Sequence, residues 1–126
     1  MELEANMSNV SAARRFVRKE LEGRAPEEAV SDLTLAASEL VTNAFEHGSL
    51  RPVRLTVRSD GDEASITVVS GGDASRVPEV ESWTPARADR ISGRGLGIVR
   101  EIADDIEVTR FEDGLAITVR RRFTGT

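Results

Sequence analysis

The chain divides on the period of its apolar residues. In "SNVSAARRFVRKELEG" the positions Val10, Ala13, Phe16, Val17 and Leu21 recur at helical spacing, with Ser8 or Asn9 as N-cap and Gly23 as a stop, which predicts a first amphipathic helix. A second is predicted from Pro26, suited to a first turn, to Gly48. Glu27 and Glu28 lie against its dipole, and Val30, Leu33, Ala37, Leu40, Val41 and Ala44 form its apolar stripe.

Beyond Gly48 the period falls to two. Val53, Leu55 and Val57 alternate with polar residues, the chain turns at Asp60-Gly61-Asp62, and Ala64, Ile66 and Val68 resume the alternation, a hairpin signature. A second hairpin joins Ile106 and Val108 to Leu115, Ile117 and Val119 through Glu112-Asp113-Gly114. The opposite faces carry Arg54, Thr56, Arg58, Ser65, Thr67, Thr118 and Arg120, so one side of the sheet faces water and the long helices must cover the other. Between the hairpins, "GGDASRVPEVESWTPARADRISGRGLG" has the polar, Gly- and Pro-rich character of a functional or mobile loop, and it leads to a third helix predicted from Ile98 to about Ala103. The expected architecture is α+β, a two-layer α/β sandwich, in one domain over residues 1–126 with residues 1–7 a flexible lead-in.

Composition narrows the chemistry. The absence of cysteine among 126 residues removes disulfides, thiol nucleophiles and Cys-ligated zinc, and a single histidine argues against a histidine-based metal site, so oxygen ligands must carry any metal. A formal charge of −5 argues against nonspecific nucleic-acid binding. Sixteen of the seventeen basic residues are arginine, and Arg120-Arg121-Arg122, at the end of an alternating strand, reads as a solvated edge rather than a nucleic-acid patch. With no apolar run near the roughly 20 residues of a membrane span and no signal-peptide pattern in "MELEANMSNV", the expectation is a cytoplasmic protein without membrane contact.

The second helix holds polar residues where a core helix needs none. Glu39, Asn43 and His47 follow one another at four-residue steps, each about 40° round from the last, and form one row beside the apolar stripe. Two readings are open: local capping and pairing with Gly48 ending the helix, or a site in which the Asn43 carboxamide oxygen binds Mg²⁺ and Glu39 orients a nucleophile for phosphoryl transfer. "SGRGLGIVREIAD" offers the phosphates a place, since Gly93, Gly95 and Gly97 precede a helix whose N–H groups at Leu96 to Val99 would face an anion. The G-x-G-x-G spacing without a leading strand does not make a Rossmann motif, and no lysine follows to make a Walker loop.

Together "ELVTNAFEHG", "SGRGLGIV" and the order helix, helix, hairpin, long loop, helix, hairpin resemble the GHKL (Bergerat-fold) ATP-binding domains over nearly the whole chain. Within them, the pattern is similar to the anti-sigma factor and serine-protein kinase family of bacterial regulators. The resemblance implies a mixed, mostly antiparallel sheet with helices on one face, ATP and Mg²⁺ as ligands, Asn43 on the magnesium and Glu39 as base toward a serine hydroxyl. It also implies a lid built from Gly93, Arg94, Gly95, Leu96 and Gly97. His47 matches the end of the N-x-x-x-H-G pattern, where it is not a phosphoacceptor and serves the architecture beside the nucleotide. The family's adenine site, D-x-G-x-G, reads here as Ser70-Gly71-Gly72-Asp73-Ala74; alternation points Ser70 inward where the family has its aspartate, which implies weaker or altered nucleotide binding.

The expected partners are a sigma factor and an antagonist protein that receives the phosphate, with a homodimer left open. Two other readings stand beside this one: a degenerate, non-catalytic module that binds proteins and little nucleotide, and the catalytic half of a split histidine kinase. The last is disfavoured because 126 residues leave no room for a dimerisation helix pair. Trp83, the sole tryptophan, is placed either under the lid or at a partner surface.

Overall fold

The computed structural model describes residues 1–4, 6–46, 52–71 and 91–123. In chain order the elements are β1 (Glu2–Leu3), α1 (Asn9–Leu21), α2 (Glu27–Glu46), β2 (Val53–Asp60), β3 (Glu63–Gly71), α3 (Ile91–Ile102), β4 (Asp105–Phe111) and β5 (Gly114–Arg122). Among the described residues the strands form one sheet in the order β1-β2-β3-β5-β4 with all four pairings antiparallel, in keeping with the mostly antiparallel sheet that the resemblance implies.

Local chemistry accounts for most element boundaries. Gly23 at φ +80° takes the left-handed conformation that stops α1, and Gly61 at φ +61° makes the tight β2–β3 turn. Ser8 stands at the α1 N-cap, but its hydroxyl bonds Asn6 Oδ1 at 2.9 Å instead of a helix N–H. Residues 1–7, expected as a flexible lead-in, contribute β1, whose Leu3 is buried in the core and pairs with Val53.

The three helices lie on one face of the sheet. Val10, Ala13, Val17 and Leu21 of α1 and Val30, Leu33, Ala37, Leu40 and Val41 of α2 pack with Leu55, Ile66, Val68, Ile117 and Val119 of the strands in a single apolar cluster. The other face is open to water, as the alternation predicts, and carries a hydroxyl pair, Thr67 Oγ1 to Thr118 Oγ1 at 2.9 Å.

The third helix differs from expectation. It begins at Ile91, seven residues before the predicted start, and takes Gly93, Gly95 and Gly97 into its first turns. Glycine inside a helix costs about 1 kcal/mol relative to alanine, so local propensity argues for a later start. Packing decides otherwise: Leu96 and Val99 are buried in the core, Ile102 packs against it, and Gly97 is buried where α3 meets α2.

Of the three consecutive arginines, Arg122 is exposed as a solvated edge requires, while Arg120 and Arg121 are held by carboxylates. Arg120 bonds Asp105 and Glu107 on the open face, both at 2.9 Å, while Arg121 turns to the helix side and bonds Asp32 of α2 at 2.9 Å. Alternation along β5 sends consecutive residues to opposite faces, and each face supplies its own carboxylates.

Candidate functional site

The two described members of the polar row of α2 are differently buried. Asn43 is only 5% exposed, and Glu39, one turn earlier, is half-buried. An amphipathic helix buries a polar residue only where tertiary neighbours cover it, and α1, α3, β3 and β5 all pack against α2.

Asn43 Oδ1 is a buried oxygen with no hydrogen-bond partner among the described residues. Leaving a buried acceptor unsatisfied costs about 1–3 kcal/mol, so natural cores seldom tolerate one without a ligand or function to explain it. A neutral carboxamide oxygen is a hard donor of the kind Mg²⁺ takes alongside phosphate oxygens, and the donor set fits that ion. Thr34 Oγ1 is the other orphan among the described residues, but nine residues earlier it lies about 180° round the helix and belongs to a different surface. Ser38, on that other side, accepts from Arg14 Nη1 at 3.3 Å across the α1–α2 contact.

Around this row the structure brings some of the expected residues and shifts others. The start of α3 at Ile91 spends the N–H groups of Leu96 to Val99, expected to face an anion, on intrahelical bonds and leaves those of residues 91–94, Gly93 and Arg94 among them, without intrahelical partners. Leu96, expected among the lid residues, is a core side chain at 1% exposure. Ser70 is buried at 8% on the helix side of β3, as alternation required, opposite Leu115 in the register. His47, Gly72 and Trp83 lie outside the described residues.

A feature that sequence reasoning missed stands beside Ser70. A Cβ on Gly114 would collide with the Ser70 carbonyl oxygen, and the next two contacts, Gly71 Cα at 3.1 Å and the Ser70 carbonyl carbon at 3.2 Å, are also backbone. Gly71 and Gly114 face each other across β3 and β5, so the end of β3 is a place where two backbones approach without side chains between them. The Gly114 turn was legible as a turn; the cross-strand approach was not, because it depends on register.

A groove of ≈ 430 Å³ lies elsewhere, on the open face of the sheet, lined by Thr56, Arg58, Ser65, Thr67, Thr118 and Arg120 among others. It shares no residue with the polar row, and one of its lining carboxylates, Glu63, lies 3.7 Å from Arg120. Among the described residues no group of three His, Cys, Asp or Glu side chains is placed to hold a metal. No helix among the described residues is long and apolar enough to cross a membrane.

Three helices over one face of an antiparallel sheet, with a buried carboxamide oxygen on the second helix and glycines in the third, match the α/β sandwich of the GHKL fold. A family model for the histidine kinase-like ATPase domain matches residues 3–121, and the chain belongs to that family. Solved structures agree. The histidine kinase domain of the Erythrobacter litoralis EL346 blue-light activated histidine kinase is similar at 25% identity with a TM-score of 0.55, over 78% of this chain and 46% of that one, so this chain spans about half of that relative. The catalytic domain of the histidine kinase ThkA shares the fold at 17% identity with a TM-score of 0.58, over 90% of this chain and 92% of that one. No curated protein sequence matches the chain.

Proposed function

We propose that this domain binds ATP with Mg²⁺ between the polar row of α2, the end of β3 and the first turn of α3, and transfers the γ-phosphoryl group to a serine of an antagonist protein. In the same reading it sequesters a sigma factor, and phosphorylation of the antagonist keeps that sequestration in force. The observation that carries the proposal is the unpartnered, buried Asn43 Oδ1.

The residues divide the work. Asn43 Oδ1 holds the cation, and the open N–H groups at the start of α3 donate to phosphate oxygens. Magnesium, when bound, neutralises charge on the phosphates and holds them in line for attack. Glu39, half-buried one turn from Asn43, accepts the proton of the serine hydroxyl as its oxygen bonds to phosphorus and the bond to the ADP oxygen breaks. Ser70, at the base end, offers a neutral hydroxyl where the family has a carboxylate.

A radiolabel transfer assay with the cognate antagonist tests this reading. Wild type should transfer phosphate, Glu39→Ala should bind Mg-ATP without transferring it, and Asn43→Ala should lose Mg-ATP binding. Absence of transfer by wild type that still binds the antagonist would refute the kinase. The Ser70 hydroxyl favours one second reading, a non-catalytic protein-binding module, and calorimetry separates the two: micromolar Mg-ATP affinity excludes the module.

A further inference from the structure

Arg121 is a guanidinium on the wrong face for a charge. Along β5 it follows Leu115, Ile117 and Val119 on the helix-facing side, and its side chain is only 20% exposed. Its three nitrogens go to three carboxylates: Nε to Asp32 Oδ2 at 2.9 Å, Nη1 to Asp104 Oδ2 at 3.3 Å and Nη2 to Glu28 Oε1 at 3.3 Å. The bond to Asp32, foremost among the causes, raises the Arg121 pKa, and the side chain is a permanent cation.

Two of these carboxylates come from α2 and the third from the exit of α3. Glu28 and Asp32 stand in the first half of α2, the helix that carries Glu39 and Asn43 toward its other end. Asp104 stands two residues after the end of α3 and is fastened to β5 three ways: its N–H donates to Arg120 O at 2.9 Å, and its carboxylate accepts from the Arg122 N–H at 2.6 Å as well as from Arg121. The exit of α3 is therefore held, while its glycine-bearing start lies at the other end of the helix.

We propose that Arg121 is a positioning residue for the nucleotide site: by joining Asp32 of α2 to Asp104 at the exit of α3, it sets how α3 lies against the Asn43 half of α2. The planar fork suits this task, since separate donors at fixed angles constrain orientation, whereas a lysine ammonium is a point charge that would keep one partner at a time. Apolar packing through Leu96 and Val99 holds α3 on the core, and the directional ion pairs at its exit add a second constraint on its orientation.

Hydrogen exchange of the nucleotide-free domain, paired with Mg-ATP calorimetry, tests the proposal; only the calorimetric arm rests on the function proposed above. In Arg121→Gln the amides of Leu96 to Ile102 should exchange about tenfold faster while those of Ala13 to Leu21 in α1 keep their rates, and Arg121→Lys should recover only part of the protection. Mg-ATP affinity should fall about tenfold in Arg121→Gln, yet stay at the wild-type value in Val10→Ala, a core variant remote from α3 that controls for lost stability. Exchange in α3 that is unchanged, or that rises in step with α1, overturns the positioning role. Should wild type take up no Mg-ATP, the nucleotide function fails and the exchange pattern alone decides the role of Arg121.

Discussion

Gly114 of β5 lies against the backbone of Ser70 and Gly71 on β3 so closely that a single added methyl would strike the Ser70 carbonyl oxygen. The base end of the proposed site is therefore shaped by a glycine on a different strand from the residue expected to face the ligand.

Gly114→Ala should destabilise the fold by about 1–3 kcal/mol, the usual cost of forcing an atom into a packed region whose neighbours are backbone. Chemical denaturation measures it. An unchanged midpoint would mean that the strands separate there at little cost.

Asn43→Ala should separate stability from binding. Removing an unsatisfied buried oxygen relieves a penalty of about 1 kcal/mol or more, so thermal denaturation should show a melting temperature equal to or above that of wild type, while calorimetry shows Mg-ATP binding lost. A less stable variant that still binds would assign the carboxamide to the core instead.

Ser70→Asp should tighten Mg-ATP binding by about fivefold, because a charged acceptor is worth roughly 1 kcal/mol more than a neutral one. The same variant without nucleotide should melt earlier, since the position is buried and the carboxylate would lack a partner. Equal affinity in the two proteins would remove Ser70 from the base site.

Arg120→Ala should cost little, about 0–1 kcal/mol, despite its three carboxylate neighbours. Its partners Asp105 and Glu107 are 49% and 58% exposed, and solvent screens such pairs. The Arg120 pKa is raised, chiefly by the hydrogen bond to Glu107, so the contribution is present at neutral pH and on the basic side is lost as pH rises through the elevated value. Denaturation in low and high salt should show the small difference shrinking as salt rises.

Much of this protein was readable one residue at a time. Period-2 alternation placed both hairpins and their faces, helical spacing placed α1 and α2, and the four-residue step of Glu39 and Asn43 placed them in one row, because each of these depends on backbone geometry that repeats locally. The resemblance of the N-box helix and the glycine stretch to GHKL domains likewise reached the family that the comparisons support. Three features were settled only by distant contacts. Burial of Leu96 and Val99 carried α3 back to Ile91 against the cost of its glycines, so the N–H groups without intrahelical partners moved by one turn or more. Strand register set Gly114 against Ser70, and no local pattern encodes which residues meet across a sheet. Whether Arg121 faces water or carboxylates depends on Asp32, 89 residues away in sequence, and on Asp104. The sequence by itself determined the elements and the chemistry they carry; the packing of α3 on α2 and of β5 on β3 decided which of those groups meet, because only folded contacts can offset glycine's entropy and the desolvation of a charge.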